Sequence, residues 1–385
     1  MPDAVIVDAV RSPIGRAFKG SLTSIRPDDL GAYVVDQLLE RNPEVSPDSI
    51  EDLICGCGIP QGEQSFNIGR ILVLLSRLPD SVTGTTVNRY CASSLQAIRI
   101  AAHAVMAGEG DAYIAAGVEW VSRYNERTEP AGVDDQNEKL QGKDGTPNAY
   151  IEMGLTAVNV AERYEVSRAD MDKYAQRSQE LAVASQEDGF FDREIVPVAL
   201  DDGSEVAKDD GPRASSTLEK LAELPEAFGG GGVTAGNSCP LNDGAAAVLL
   251  MSDTKANELG LKPRARIVKA ATFGNEPEYM GVAPIGAIKK VLDRAGMTID
   301  DIDVVELNEA FAAQVIPIMA ECDIPLEKLN THGGAIALGH PFGMTGARIM
   351  TTLLNVMETD DHQVGLETMC VAGGQGFAMV VERLN

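Results

Sequence analysis

Two stretches lying far apart in the chain follow one pattern, and that repetition constrains the fold more than any other feature. "VNRYCASSLQAIRIAAHAVM", with Cys91 in its opening turn, is followed by "DAYIAAGVEWVS". "ALGHPFGMTGARIMTTLLNVM", with His340 in its opening turn, is followed by "GLETMCVAGGQGFAMVVERL". In each, a polar turn opens an apolar helix and a strand with a central Ala-Gly comes next. Two such units imply two halves of one architecture, with Cys91 and His340 at related helix-start positions.

The intervening pattern supports an α/β fold. "AVIVDAV" (4–10) and "IEDLICGCGI" read as buried strands, "DDLGAYVVDQLLER" (28–41) and 93–108 as helices, and "AYIAAGVEW" as a strand. This alternation predicts helix-covered sheets. The middle of the chain departs from it. "RYNERTEPAGVDDQNEKLQGKDGTPN" and "DDGSEVAKDDGPRASS" are polar, with the helical stretch "TAVNVAERYEVSRADMDKYAQRSQELAVASQ" between them. The expected organisation is a first half over 1–119, completed by about 246–252, an inserted loop domain over 120–245, and a second half over 253–385.

Charge and cysteine usage narrow the functional classes. Acidic residues outnumber basic ones 58 to 32, for a net charge of −26, which disfavours nucleic acid and anionic membranes as partners. An anionic small substrate would need a local basic pocket. No apolar run approaches the roughly 18 residues of a membrane span. The N-terminal "MPDAVIVDAVRSPIGR" reads as a first strand, so a cytoplasmic location is expected. The six cysteines (55, 57, 91, 239, 322, 370) are scattered, and Cys55-Gly-Cys57 has no matching second pair, so neither a disulfide framework nor a metal site is expected.

Four stretches carry residues suited to chemistry. Cys91 stands at a helix start, where amide N–H groups and the helix dipole favour a thiolate. Cys370 ends a strand before "VAGGQG", Asn308-Glu309 sits at a strand-to-helix junction in "DVVELNEAFAAQV", and "GGGGVTAGNSCPLNDGAAAV" is a glycine-rich loop without P-loop or dinucleotide spacing. Each has an unremarkable alternative taken alone: a packed core cysteine, a strand end, a helix cap, a flexible connection, and for His340 a turn into a helix.

Together, "VNRYCASSLQA", "GGVTAGNSCPLNDGAAAV", "NEAFAAQ", "HGGAIALGHPFGMTGAR" and "CVAGGQG" resemble the thiolase family in order along nearly the whole chain. The resemblance implies the thiolase fold, with two βαβαβαββ-type halves in an α-β-α-β-α layered core and the insert as a CoA-binding loop domain. It implies Cys91 as nucleophile, His340 as the base that deprotonates it, and Cys370 as the second acid/base. It also implies that Asn308 holds a water which, with His340, forms one oxyanion hole, the Cys91 and Ala372 N–H groups forming the other. Arg213 is implied beside the CoA adenine and phosphates, Met153 near the acyl end of the pocket, and Cys239 on the pantetheine arm.

This set suits a reversible Claisen reaction, because carbon–carbon cleavage expels an enolate that a second acid must protonate. The implied activity is 3-ketoacyl-CoA thiolase acting toward degradation, with biosynthetic acetoacetyl-CoA thiolase as the alternative. CoA and acyl-CoA are substrates, and no permanently bound cofactor is implied. A non-catalytic thiolase-like scaffold is disfavoured by the intact Cys91, Asn308, His340 and Cys370; a decarboxylating ketoacyl synthase is disfavoured by the second cysteine. A homodimer or homotetramer is expected, with residues after Val118 contributing to the contact. Three departures from the family pattern stand out: Ala372 in a glycine position, His332 in an asparagine position, and Cys239-Pro240 where a serine is common. His103 and His362 are given no role.

Overall fold

The computed structural model describes residues 2–124 and 136–385. The first half runs β1 (Ala4–Arg11), α1 (Pro27–Arg41), β2 (Asp52–Gly56), α2 (Ile68–Leu75), β3 (Thr83–Val87), α3 (Ser93–Ala107), β4 (Ala112–Trp120) and, after the insert, β5 (Asn242–Ser252). The second half runs β6 (Ala265–Gly274), α6 (Ala283–Ala295), β7 (Val304–Leu307), α7 (Ala312–Glu321), α8 (Thr345–Thr359), β8 (Val364–Val371) and β9 (Gln375–Arg383). The insert contributes α4 (Met153–Arg163) and α5 (Arg168–Glu187).

The strands join in the order β7-β8-β9-β6-β1-β5-β4-β2-β3. In the first half β3, β2 and β4 are parallel, and β4, β5 and β1 antiparallel. In the second half β7 and β8 are parallel, and β8, β9 and β6 antiparallel. Among the described residues, the strands of the two halves pair only where Val5 and Ile6 lie against Arg266 and Ala265. This is the expected βαβαβαββ order twice, with one exception. The third strand of the second half is reduced to a single parallel bridge, Leu329 against Val305.

The strands β1, β4 and β5 are buried along their whole length because helices cover both sheet faces, which is why they read as near-continuous apolar runs. Leu38 of α1 and Leu72 of α2 pack on the outer face of the first sheet beside Leu53, and Ile288 of α6 and Val315 of α7 pack on that of the second beside Leu366. Between the sheets lie α3 and α8, whose Leu95, Ile98, Ile349 and Leu353 share one core with inward residues of both halves. Truncating any of these leucines or isoleucines to alanine removes about 2–5 kcal/mol.

The two central helices touch at their starts. A Cβ on Gly346 would lie 2.3 Å from the Leu95 nitrogen, and the Ala347 N–H donates to Ser94 Oγ at 2.8 Å. The helix start anticipated at Cys91 and the one at His340 are thereby brought side by side. The expected boundaries of β1, α1, α3 and β4 hold to within a residue, including the end of α3 at Gly108, whose φ of 76° suits glycine, whereas the strand read over 50–59 is shorter, at Asp52–Gly56.

The helical stretch over 156–186 consists of two helices, α4 and α5. Glu165 adopts a φ of 52° and Ser167 caps α5 by accepting from the Asp170 N–H, which together break the run. Of the polar 123–148 stretch, 125–135 lies outside the described residues. The insert is fastened to the first half through buried Arg11, which donates to Glu194 at 2.6 Å and to both oxygens of Asp209 at 2.8 and 2.9 Å. Its α4 and α5 pack on α7 of the second half.

Candidate active site

The turn carrying Cys91 is tight and held by its neighbours. Only residues 88–92 separate β3 from α3, and Tyr90 is forced to a φ of 46°, unfavourable for a bulky side chain. Asn88 Oδ1 accepts from the Tyr90 N–H at 2.8 Å, while Ser93 Oγ accepts from the Arg89 N–H and donates to the Tyr90 carbonyl. Cys91 is 8% exposed in the resulting 3-10 turn, directly before α3.

The expected depression of its pKa is not what the structure gives. Burial pushes the Cys91 thiol well above its ordinary value, nearby Cys370 and Cys239 raise it further, and the Ala372 N–H aimed at the sulfur only partly opposes them. The second half closes over the helix start and removes the water that a thiolate needs, so desolvation outweighs the helix dipole.

His340 is the best-anchored residue of the site. Its backbone N–H donates to Asn242 Oδ1 at 3.0 Å, next to Gly339 at φ 115°, where a Cβ would collide with that same asparagine. Thr345 Oγ1 donates its hydrogen to the Pro341 carbonyl at 2.8 Å, so at 2.6 Å from His340 Nδ1 it must accept. The ring hydrogen is therefore on Nδ1, and Nε2 keeps a lone pair, 3.3 Å from Asn308 Nδ2. Burial, reinforced by Arg348, lowers the His340 pKa to about 3, so the imidazole is neutral.

Asn308 follows β7 and is not a helix cap: α7 begins at Ala312 with Phe311 before it. Its Oδ1 is buried without a partner among the described residues. Cys370, fully buried in β8, donates its S–H to Gln314 Oε1 at 3.5 Å, and burial raises its pKa to about 11. Ala372 is compatible with the turn that follows because the left-handed angles fall on Gly373 and Gly374, at φ 73° and 78°.

A cavity of about 300 Å³ opens on Cys91, lined by Tyr90, Met153, Tyr150, Ile151, Phe342 and Ala372 among others. Met153 thus lines the same cavity as Cys91. Cys239 stands close enough to Cys370 and Cys91 to act on both, with burial first and Cys370 second raising its pKa to about 12. Arg213 is not in this cavity. It lines a separate groove along α5, its backbone N–H donating to Gln179. His332 packs, stacked on Phe190 with ring centroids 3.7 Å apart.

Sequence reasoning did not single out several residues that hold the site together. Thr345, Gln314 and Asn242 stood inside the quoted motifs but carried no separate signal. Glu119 looked like an ordinary strand residue. It is fully buried and accepts from the N–H groups of Gly58, Ile59 and Gly343 and from Gln64, tying the loop after β2 to the loop that carries His340. Burial raises its pKa to about 7, with those four donors pulling it back.

Comparison with known proteins agrees with this geometry. The family model described as the thiolase N-terminal domain matches residues 4–254, and that of the thiolase C-terminal domain matches 261–383. The chain belongs to the thiolase family. It is 44% identical to a beta-ketoadipyl-CoA thiolase of Acinetobacter baylyi, covering all of both chains. It is 45% identical to a 3-ketoacyl-CoA thiolase of a Marinomonas species, covering 99% of this chain and 98% of the relative. Among solved structures, the dimeric peroxisomal thiolase of Saccharomyces cerevisiae superposes with a TM-score of 0.92 at 37% identity, covering 99% of this chain and 97% of the yeast one. In this thiolase-family chain Cys91 lies directly before α3 and His340 on the loop before α8, and the starts of those two helices are in contact.

Proposed function

We propose that the protein is a 3-ketoacyl-CoA thiolase, cleaving its substrate with CoA into acetyl-CoA and an acyl-CoA shortened by two carbons. The observation that carries this reading is the His340 tautomer, fixed by Thr345, which leaves the Nε2 lone pair on the site side at the meeting point of the two helix starts. A base so held, near a cavity that opens on Cys91, with Cys370 buried close to that thiol and an amide aimed at it, suits acyl transfer through a thioester.

In this reading His340 takes the Cys91 proton and the sulfur attacks the 3-keto carbon. The C2–C3 bond breaks, its electron pair stays on C2 as the enolate of acetyl-CoA, and Cys370 protonates that carbon. CoA then gives its thiol proton to the Cys370 thiolate and attacks the acyl-Cys91 thioester. Cys91 leaves as thiolate and recovers its proton from His340. The oxyanions are received by the Cys91 and Ala372 N–H groups and by an Asn308-held water with His340; the unpartnered Asn308 Oδ1 supports the latter.

The reading extends to the insert, the two halves and the assembly. Residues 120–245 serve as the CoA-binding loop domain, with Met153 at the acyl end, Cys239 along the pantetheine arm, and Arg213, in its groove along α5, at the nucleotide end. The halves are 1–119 with 246–252, and 253–385. Homo-oligomerisation is supported by the free edge of β3 and by Phe66, 91% exposed, beside Asn67, which bonds Gly84 and Thr86 on that edge. Six free thiols suit a reducing cytoplasm, and no helix among the described residues is long and apolar enough to cross a membrane.

The test follows CoA consumption with acetoacetyl-CoA and with a long-chain 3-ketoacyl-CoA, for the native protein and Cys91→Ala. Cleavage that disappears in the variant supports the reading, and the ratio of kcat/KM values assigns chain length. Folded native protein that cleaves neither, at low and at high salt, overturns it for these substrates.

A further inference from the structure

Gln314 touches the thiol that the proposed reaction uses as its second acid, and one end of its amide is uncommitted. The residue lies in the first turn of α7 and is 1% exposed. Its Oε1 accepts the Cys370 S–H at 3.5 Å, whereas its Nε2 has no partner among the described residues. A buried amide N–H₂ without an acceptor is costly, so its retention calls for a reason.

We infer that Gln314 is a positioning residue that serves both protonation states of Cys370 by turning its terminal amide. With the thiol protonated, Oε1 accepts the S–H. Once the proton has gone to C2 of the leaving acetyl-CoA, a half-turn of the amide presents Nε2–H to the thiolate. That rotation breaks no other hydrogen bond, because Nε2 has none to lose and Oε1 has already lost its donor. The thiolate then keeps one charge-assisted bond in a site that burial has dried. When CoA returns the proton, the amide turns back. The inference rests on the reading of Cys370 as the group that protonates the enolate. The other titratable groups facing this sulfur are Cys91, from the turn before α3, and Cys239, from the loop before β5. Glu309 and Glu119 act on those two thiols and not on Cys370.

The experiment measures iodoacetamide alkylation against pH, with mass spectrometry reading the Cys370 and Cys91 peptides separately. Cys370 is followed in a Cys91→Ala background with and without Gln314→Leu; Cys91 is followed with Gln314→Leu alone. The expected result is Cys370 alkylation about tenfold slower at a fixed pH below its inflection, with the inflection displaced upward, and the Cys91 profile unmoved. Gln314→Glu, which sets a carboxylate against the thiolate, slows Cys370 further. A Cys370 profile unchanged in Gln314→Leu, or a shift shared equally by Cys91, overturns the inference. Should the leucine variant not fold, the near-isosteric Gln314→Met is read by the same criteria. Native protein without thiolase activity would sink the functional reading, while the alkylation profiles would still decide on Gln314.

Discussion

The two halves of the molecule repeat one scaffold, yet they lead into their central helices by routes of very different length. In the first half residues 88–92 run straight from a paired strand into α3, which leaves Tyr90 strained and Cys91 pinned against the helix start. In the second half the matching strand has shrunk to the Leu329–Val305 bridge, and residues 330–344, with one short helical turn at Ala335–Leu338, intervene before α8 begins. That freed length is what brings His340 onto Asn242, Thr345 and Asn308. A short, strained turn fixes a sulfur through the backbone; a long loop fixes an imidazole through side chains. Divergence in one connection lets a repeated architecture hold a thiol in one half and an imidazole in the other.

The sharpest way to break this comparison is to delete either group. Cys91→Ala and His340→Ala are each expected to lower kcat for acetoacetyl-CoA cleavage by at least about 10³-fold, since the proposed reaction uses them as nucleophile and base acting as a unit. Native-like circular dichroism should accompany both losses. Substantial activity in His340→Ala would mean that the second half supplies scaffold rather than base.

Glu119→Gln comes next, because Glu119 ties the loop after β2 in the first half to the long connection that carries His340 in the second. Four donors converge on this carboxylate, and an amide must turn N–H₂ toward at least one of them. The expected cost is about 1–3 kcal/mol of stability and a loss of kcat on the order of tenfold to a hundredfold, as Gly58 and Gly343 lose their common anchor. Thermal unfolding and steady-state kinetics measured together check it. A stability loss with kcat intact would confine Glu119 to holding the fold.

Much of this was legible in the sequence, and the exceptions have physical causes. The repeated turn–helix–strand unit exposed the two halves, glycine ended α3 where expected, and Cys91, His340, Asn308, Cys370 and Met153 fall in or around one site. Glu119 was invisible because a carboxylate at the end of "AYIAAGVEW" reads as solvated until loops from both halves fold over it. Thr345 and Gln314 sat in plain motifs, but only the tertiary approach of α8 and α7 gives each its partner. The separation of α4 from α5 turned on a left-handed Glu165, a residue with no turn signature of its own.

Thr345→Val tests the side-chain anchoring peculiar to the second half. Valine keeps the shape but cannot accept the Nδ1 hydrogen, so the ring loses the bond that selects its tautomer. About a tenfold fall in kcat is expected, with KM nearly unchanged and Thr345→Ser restoring most of the rate. A valine variant with native kcat would show that packing against Phe342, 5.1 Å away between ring centroids, suffices to orient His340.

The smallest effect separates the halves by sign. Both groups are buried, and burial disfavours whichever form is charged. His340 is therefore held neutral, its pKa lowered to about 3, while the Cys91 thiol is pushed up and stays protonated. At rest these groups are a thiol and an imidazole, not a thiolate and an imidazolium, and in the proposed reaction the proton moves only once substrate arrives. Iodoacetamide alkylation of Cys91 in the free protein should accordingly inflect above the ordinary thiol pKa of about 8.5. Because the folded His340 pKa lies below its unfolded value, its contribution to stability is complete above about pH 6.5 and is lost as the pH falls toward 3. Denaturant unfolding of the native protein and His340→Asn should thus give a difference in stability that shrinks over that acid window. An alkylation inflection below 8.5 would instead mean that the helix start and the Ala372 N–H outweigh burial, and that the short turn of the first half stores its cysteine as a thiolate.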